Sequence, residues 1–157
     1  MDASDSLQEI FCDVAAALIN YFQVEHVTVF QHRHRQQDLL ARFTTGINHQ
    51  PISVAINPQS IVGFVAMSKV PLIIPDPFDT SALFAIHPRL QFVDHLEPLE
   101  QTPRCRTVNI MCVPIIHAHT LLGVLQLTNR HPVVFCERDL RDAQTIAQCL
   151  GCLLSTL

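Results

Sequence analysis

The order of the predicted helices and strands favours an α+β fold built as one domain. Apolar residues recur at helical spacing near both ends of the chain and once in the middle. Segments rich in Val, Ile, Thr and Phe lie between these helices and have the composition of strands. The chain has 157 residues, which is close to the common size of a single domain. We therefore expect one domain over about residues 6–155.

The first predicted element is a helix over residues 7–22, where apolar side chains repeat at helical spacing behind a capping box of Ser6 and Glu9. Strands follow, because segments of high β-propensity alternate with turn residues. These strands are predicted at 24–30, 38–45, 52–56 and 70–74. A polar hairpin at 31–37 joins the first two strands, and Arg33 within it is expected to be solvated.

A middle helix is predicted over residues 58–68. Asn57 is expected to be its N-cap, because Asn caps helices well and Pro is favoured at the first helical position. The prolines between residues 75 and 106 leave room only for short helical turns at 81–85 and 89–93. A long irregular segment in a compact domain is usually functional, so we predict that residues 75–106 form a lid over a binding site.

The last elements are strands at 107–116 and 121–129 and a helix at 136–154. This helix carries two apolar stripes. The first comprises Leu140, Ala143, Ala147, Leu150, Leu154 and Leu157, and the second Ile146, Cys149 and Leu153. We expect one face to pack on the sheet and the other to meet a partner helix, the alternative being one broad core face. The apolar end LLSTL suggests a piece of a longer protein.

Charge and composition exclude several classes of function. The formal net charge is -4, which disfavours binding to a nucleic acid backbone. The four glycines form no phosphate-binding loop, and no apolar run is long enough for a membrane helix. The acidic N-terminus is no secretory signal, so a cytoplasmic protein with reduced cysteines is expected.

The cysteines and histidines suggest no catalytic or metal site. Cys149 and Cys152 match a C-x-x-C pattern but lie near the end of a helix, where the dipole disfavours a thiolate, so they are expected to serve packing. The pair His32 and His34 would supply only two of the four ligands of a zinc site, and so would the pair His117 and His119. We predict no enzyme, no metal and no certain cofactor.

Three segments together make the chain resemble a GAF domain. They are Ser60–Ala66 with Val70–Asp76, then Cys105–Ile115, then Leu122–Arg130 with Phe135 and Asp139. The resemblance covers essentially the whole chain. It is greatest to the cyclic-nucleotide-binding GAF domains of phosphodiesterases and to the GAF modules attached to bacterial secretion and pilus ATPases.

The resemblance implies a six-stranded antiparallel sheet with the terminal helices on one face. The middle helix and the lid would cover a small-molecule pocket on the other face. Its implied lining residues are Thr28, Phe43, Thr44, Val62, Phe84, Thr107 and Gln126. Phe43 and Phe84 are candidates for apolar packing against a purine ring. Thr107 and Gln126 are candidates for hydrogen bonds to its edge or to the ribose. A cyclic nucleotide is therefore one candidate ligand.

A phosphodiesterase-type motif of Asn-Lys, Phe and Asp-Glu is represented here by Asn129-Arg130, Phe135 and Asp139, with Leu140 in the Glu position. Arg binds both oxygens of a carboxylate, so we expect a structural ion pair between Arg130 and Asp139.

The leading functional hypothesis is a regulatory module that senses a small molecule and signals to a linked effector domain, for which a secretion or pilus ATPase is one candidate. Homodimerisation through the terminal helices is expected. The alternative is a ligand-free dimerisation or docking module. Large side chains at Phe84, Leu90 and Phe92 filling the space beneath the lid would favour that alternative. An enzyme would need a nucleophile, and the lid offers only Cys105.

Overall fold

A six-stranded antiparallel sheet forms the centre of the molecule. The computed structural model describes residues 3–45, 52–92 and 107–156. The helices are α1 (Ala3–Phe22), α2 (Ile61–Ser68), α3 (Thr80–Ile86) and α4 (Glu137–Leu154). The strands are β1 (Val24–Arg33), β2 (Asp38–Thr44), β3 (Ser53–Ala55), β4 (Leu72–Ile74), β5 (Ile110–His117) and β6 (Thr120–Arg130). Their order across the sheet is β3-β2-β1-β6-β5-β4. The predicted α+β fold is confirmed.

The terminal helices cover one face of the sheet, and their apolar stripes form part of the hydrophobic core on that face. Buried residues of α1 and α4 pack there against alternate residues of β1, β2, β5 and β6. In the first stripe predicted for α4, Leu140 is half-buried, the members from Ala143 to Leu154 are buried, and Leu157 lies outside the described residues. Ile146 and Leu153 of the second stripe are half-buried. Cys149 and Cys152, expected as packing residues, are exposed.

The opposite face carries a second core beneath α2 and α3. Ile61, Val62 and Val65 of α2 pack there with Leu83 of α3 and with the other residues of β1, β5 and β6. The two cores follow from strand geometry, because successive side chains point to opposite faces of a sheet. Both predicted layers are therefore present, with the described part of the lid beside α2.

Several element boundaries differ from the predictions. The N-cap of α2 is Ser60, not Asn57, and its hydroxyl accepts from the amide of Gly63 at 2.9 Å. Asn57 instead accepts from the amide of Gln59 at 2.9 Å, which closes a turn three residues before the helix. β4 begins two residues later than predicted, because Lys69 ends α2 in a left-handed conformation with φ 58°.

The remaining differences lie at element ends. α1 begins four residues earlier than predicted, β1 extends to Arg33, and β5 begins at Ile110 rather than at residue 107. The helical turn predicted at 89–93 is, as far as the described residues reach, a single turn closed by the amide of Leu90 and the carbonyl of His87 at 3.1 Å.

Arg33, expected to be solvated, forms a bidentate ion pair with Asp38 across the β1–β2 hairpin. Its Nε and Nη2 donate to the two carboxylate oxygens at 2.7 and 2.5 Å. The hydrogen bond from Arg33, followed by its charge, holds the pKa of the Asp38 carboxyl below its ordinary value of 3.8. Stabilisation by this pair is therefore present above that value and is lost as the pH falls through the lowered pKa of the folded state.

An NMR titration of the carboxylates tests this ion pair. We expect the Asp38 midpoint below 3.8, and we expect Arg33→Gln to return it towards that value. Arg35→Gln removes the same charge from the same hairpin and should move the midpoint much less. A normal midpoint in the unchanged protein would contradict the bidentate geometry.

Candidate functional site

A row of polar side chains crosses the sheet on the face that carries α2. Thr28 pairs directly with Thr44 on one side and with Gln126 on the other, and Gln126 pairs with Cys112. Residues directly opposite each other in neighbouring strands share a face. Two residues before Thr28 in β1, and on the same face, His26 pairs with Thr128. We call these residues the polar patch: His26, Thr28, Thr44, Cys112, Gln126 and Thr128.

Hydrogen bonds within the patch satisfy only part of its polar groups. The hydroxyls of Thr28 and Thr44 lie 3.1 Å apart. The thiol of Cys112 donates to Oε1 of Gln126 at 3.7 Å. The Gln126 amide nitrogen has no partner among the described residues, and neither does the buried Nδ1 of His26. The patch therefore offers an amide donor to a ligand, whereas the unpaired Nδ1 of His26 is shielded from solvent.

Cys112 contributes a neutral thiol to the patch. It is completely buried beneath α2, and burial raises the pKa of its thiol far above the ordinary value. A thiol must ionise to act as a nucleophile, so Cys112 is chemically inert in this position. Thr28, Thr44, Gln126 and Thr128 contribute hydroxyl and amide groups that carry no formal charge.

Apolar side chains close the end of this face next to the patch. Leu83 and Leu90 are buried there with Val62, and Phe92 packs against the same cluster. They fill the space beside α2 and β4. His26, Thr28, Thr44 and Gln126 lie on β1, β2 and β6 and are only half-buried. The accessible part of the face is thus its polar part.

The structure brings together some of the predicted pocket residues and separates others. Thr28, Thr44 and Gln126 share the patch, and Val62 lies on the same side of the sheet. Phe43 faces the opposite side, where its ring stacks on Phe11 at 4.8 Å. It cannot share a face with its neighbour Thr44, because side chains alternate along a strand.

Two further predicted residues lie outside the patch. Phe84 is on α3 with 64% of its surface exposed, and it does not pack with Phe43, which lies in the core on the opposite face. Thr107 is half-buried and precedes β5. Cys105 and the rest of the lid from residue 93 to 106 lie outside the described residues. Sequence reasoning missed His26 and Thr128, although each lies two residues from a predicted pocket residue, Thr28 or Gln126, and therefore on the same face of its strand.

Arg130 and Asp139 lie at the junction of β6 and α4 and contact each other. Arg130 Nη1 donates to Oδ2 of Asp139 and to the carbonyl of Val134, the latter at 3.3 Å. The same Asp139 oxygen accepts from the amide of Cys136 at 2.8 Å. The carboxylate therefore caps α4 and binds the end of β6 at once.

An apolar cavity lies on the other face, between the two terminal helices. It has a volume of about 20 Å³ and is lined by Leu7, Phe11, Val14, Val29, Phe43, Leu150, Leu153 and Leu154. A volume of this size holds little more than one water molecule, and its lining offers no polar partner. It is a packing defect between α1 and α4 rather than a ligand site.

The described residues include neither a metal-binding cluster nor a membrane-spanning helix. In that part of the chain, no three His, Cys, Asp or Glu side chains are placed to hold a metal ion. None of its helices combines the length and the apolar character needed to cross a membrane.

Comparison with known proteins gives a family match over nearly the whole chain. The family model described as "GAF domain" matches residues 6–152. No curated protein matches the chain in sequence.

Solved structures give similar folds at low sequence identity. The GAF domain of an Acinetobacter phosphoenolpyruvate-protein phosphotransferase is 17% identical with a TM-score of 0.70, covering 98% of this chain and 82% of that one. The type II free methionine-R-sulfoxide reductase of Thermoplasma acidophilum is 11% identical with a TM-score of 0.73, covering 98% and 95%. The A. aeolicus nlh2 GAF domain is 19% identical with a TM-score of 0.66, covering 99% and 86%. At these identities the likeness shows the fold alone.

Proposed function

The chain belongs to the GAF domain family, and we propose that it is a cytoplasmic regulatory module that binds a small molecule over the polar patch. GAF domains are generally regulatory and ligand-sensing, and they are linked to effector domains. The observation that carries the proposal is a half-buried polar row, directly beside an apolar core, that contains groups without partners among the described residues.

The chemistry of the patch favours a planar polar heterocycle. The Gln126 side chain has an amide donor and a carbonyl acceptor, and the edge of a purine has a complementary acceptor and donor. Thr28 and Thr44 add hydroxyls that can bind a ribose, and Val62 adds an apolar wall. None of the patch residues is Arg or Lys, so a phosphate would gain little there. Cyclic nucleotides therefore belong in a test series with uncharged purines.

The connections of β1 and β6 offer a route from the patch to an effector. β1 follows α1 after the single residue Gln23, and β6 is bound to the start of α4 through Arg130 and Asp139. A ligand that binds Thr28 and Gln126 more tightly in one arrangement of these strands would shift the terminal helices. We propose that a linked effector domain, for which a secretion or pilus ATPase is one candidate, responds to this shift.

A docking module without a ligand is the second candidate. The buried Leu83 and Leu90 favour it, because they fill space beneath the described part of the lid. Exposed apolar residues of α1 favour it as well, since Ile10 and Tyr21 are 43% and 61% exposed. In this alternative the terminal helices would form a homodimer.

We propose no catalytic role for the patch. Some of the similar structures are reductases of free methionine sulfoxide, but Cys112 stays protonated in its buried position. Cys105 is the remaining candidate nucleophile near the lid. If the purified protein reduced free methionine sulfoxide and Cys105→Ser abolished the activity, this part of the proposal would be wrong.

Thermal unfolding with candidate ligands tests the sensor proposal. Cyclic AMP, cyclic GMP, cyclic dinucleotides, purine nucleotides and neutral purine nucleosides would be added separately. A ligand at about 100 times its Kd adds roughly 2.7 kcal/mol of stability, which raises the Tm of a domain of this size by about 5–10 °C. Thr28→Val and Gln126→Leu should each cost about 1–3 kcal/mol of binding through an unsatisfied partner, and should remove from about a third to about nine-tenths of the shift at the same ligand concentration.

Matched controls separate binding from folding. Thr145→Val and Gln144→Leu make the same chemical changes on α4 and should leave the ligand shift intact. If no ligand raises the Tm while the Tm depends on protein concentration, the docking module is the better description.

A further inference from the structure

Two exposed thiols lie near the carboxyl end of α4, on the face of the sheet opposite the patch, and one of them contacts an imidazole. Cys149 and Cys152 are both exposed and lie one helical turn apart. The Sγ atom of Cys152 lies 3.9 Å from Nδ1 of His117, at the end of β5. This separation is within the hydrogen-bonding range of sulfur. The cluster lies apart from the patch and from the Arg130–Asp139 ion pair.

Gly151 explains why the helix and the strand approach so closely at this point. A Cβ atom on Gly151 would lie 3.2 Å from the carbonyl oxygen of Ile116 and 3.4 Å from Cβ of His117. The absence of a side chain lets α4 rest directly on the end of β5. Cys152, the next residue along the helix, is thereby held beside the His117 ring.

The other described cysteines have different surroundings. Cys112 is buried and its pKa is raised, so it does not react readily. Cys12 accepts a hydrogen bond from the Gln8 amide at 3.8 Å, and Cys136 lies at the N-cap of α4. Among the cysteines in the described part of the chain, Cys152 alone contacts an imidazole.

We propose that Cys152 is a peroxide-reactive thiol, that His117 is its proton acceptor, and that Cys149 resolves the product to a disulfide. The proposal goes beyond ligand sensing and does not depend on it. The end of the α4 dipole opposes a negative charge on sulfur, so a proton acceptor in contact with the thiol is needed there. His117 can fill that role as the tautomer with its proton on Nε2.

The reaction balances with hydrogen peroxide as the oxidant. The Cys152 sulfur attacks one peroxide oxygen while its proton passes to Nδ1 of His117. The O–O bond breaks, the departing hydroxide takes that proton, and the products are a sulfenic acid and water. The Cys149 sulfur then attacks the sulfenic sulfur and displaces hydroxide, which takes the thiol proton and leaves as water. Two thiols are oxidised and one peroxide is reduced to two waters.

A metal is a weaker explanation for the same residues. Two thiols and one imidazole would suit a soft metal ion, but no such group of three is placed to hold one in the described residues. A disulfide needs only the two thiols to approach. Side chains three apart on a helix have Cβ atoms about 5–6 Å apart, against about 3.5–4.5 Å in a disulfide. The last turn of α4 must therefore tighten on oxidation.

Peroxide titration of the reduced full-length chain tests the proposal. After a brief exposure, free thiols are blocked with N-ethylmaleimide and the protein is digested with trypsin. No Lys or Arg follows Arg141, so residues 142–157 form one peptide that contains both thiols. We expect this peptide to lose two hydrogen atoms before Cys12 is oxidised. Cys149→Ser should instead accumulate a sulfenic acid on Cys152 that dimedone labels.

Matched histidine variants test the proton acceptor. His117→Asn should slow the oxidation of Cys152 at least about tenfold. General bases in enzymes typically accelerate reactions by roughly 100-fold or more, so tenfold is a conservative threshold. His119→Asn changes the same residue type in the same hairpin and should leave the rate unchanged. Thermal unfolding of both variants shows whether they are folded. Equal rates in the two variants, a disulfide only between two chains, or equal dimedone labelling of Cys12 would overturn the proposal.

Discussion

Replacing Gly123 with alanine is expected to lower the free energy of unfolding by about 3 kcal/mol, as measured by urea denaturation. Gly123 lies in β6, opposite Gln31 of β1 and Ile115 of β5. A Cβ atom at this position would collide with the carbonyl oxygen of Phe30 and would lie 3.2 Å from its carbonyl carbon. The obstacle is the backbone of a central strand, which cannot rotate away as a side chain could.

The other glycines provide a graded comparison. A Cβ atom on Gly63 would collide with the carbonyl of Ala55 and lie 2.7 Å from that of Asn57, at a contact between α2 and the end of β3. We expect Gly63→Ala to be destabilising, though less so, because β3 is short and at the sheet edge. Gly151→Ala should be the mildest, since its nearest contact is 3.2 Å and alanine favours a helix by about 1 kcal/mol. A Gly123→Ala protein as stable as the parent would contradict the register of β1 and β6.

The fold could be predicted from the sequence because its elements have strong local patterns. The apolar repeat of α1 and the β-branched residues of β5 and β6 place these elements within a few residues of their observed ends. Turns are harder to predict, because Asn57 and Ser60 are both good N-cap residues and the local sequence does not distinguish them; in the structure the Ser60 hydroxyl accepts from the Gly63 amide. Arg33 looked solvated because its partner Asp38 comes from the next strand.

The candidate site was less predictable, because it depends on which face of the sheet each residue occupies. The resemblance places both Phe43 and Thr44 in the pocket, although adjacent strand residues point to opposite faces of a sheet. The strand pairing adds a further uncertainty: a bulge at Arg42 shifts the register, so that Phe30 pairs with Ala41 while Val29 pairs with Phe43. A one-residue shift exchanges the faces, and no local pattern in the sequence reveals it. His26 enters the patch only once the pairing with Thr128 is known.

The contact between Cys152 and His117 was hidden from the sequence for a similar reason. The C-x-x-C spacing was visible, but a helix end normally disfavours its reactivity. The imidazole comes from β5, 35 residues earlier in the chain, and reaches the thiol only because Gly151 permits a close approach. Chemistry that depends on contacts between distant segments cannot be deduced from spacing alone.

Asp139→Ala is expected to lower the free energy of unfolding by about 3 kcal/mol, the second large effect. The carboxylate receives hydrogen bonds from Arg130 and from the amide of Cys136, so its loss removes an ion pair and a helix cap together. The side chains of Arg130 and Asp139 are only 23% and 12% exposed. Removing the carboxylate would therefore leave the guanidinium charge poorly solvated, with its buried Nε already lacking a partner among the described residues.

A double-mutant cycle separates the ion pair from the cap. Arg130→Met alone removes the pair but leaves Asp139 free to cap α4, so it should cost less than Asp139→Ala. The double variant should be more stable than the sum of the single effects predicts, by about 1 kcal/mol or more, since no charge is then left unpaired. Glu137→Gln removes an exposed acidic side chain from the same helical turn and should change the stability by less than about 0.5 kcal/mol. Strictly additive effects would mean that Asp139 acts as a helix cap alone, and that β6 and α4 are held together by the packing of Phe135 rather than by charge.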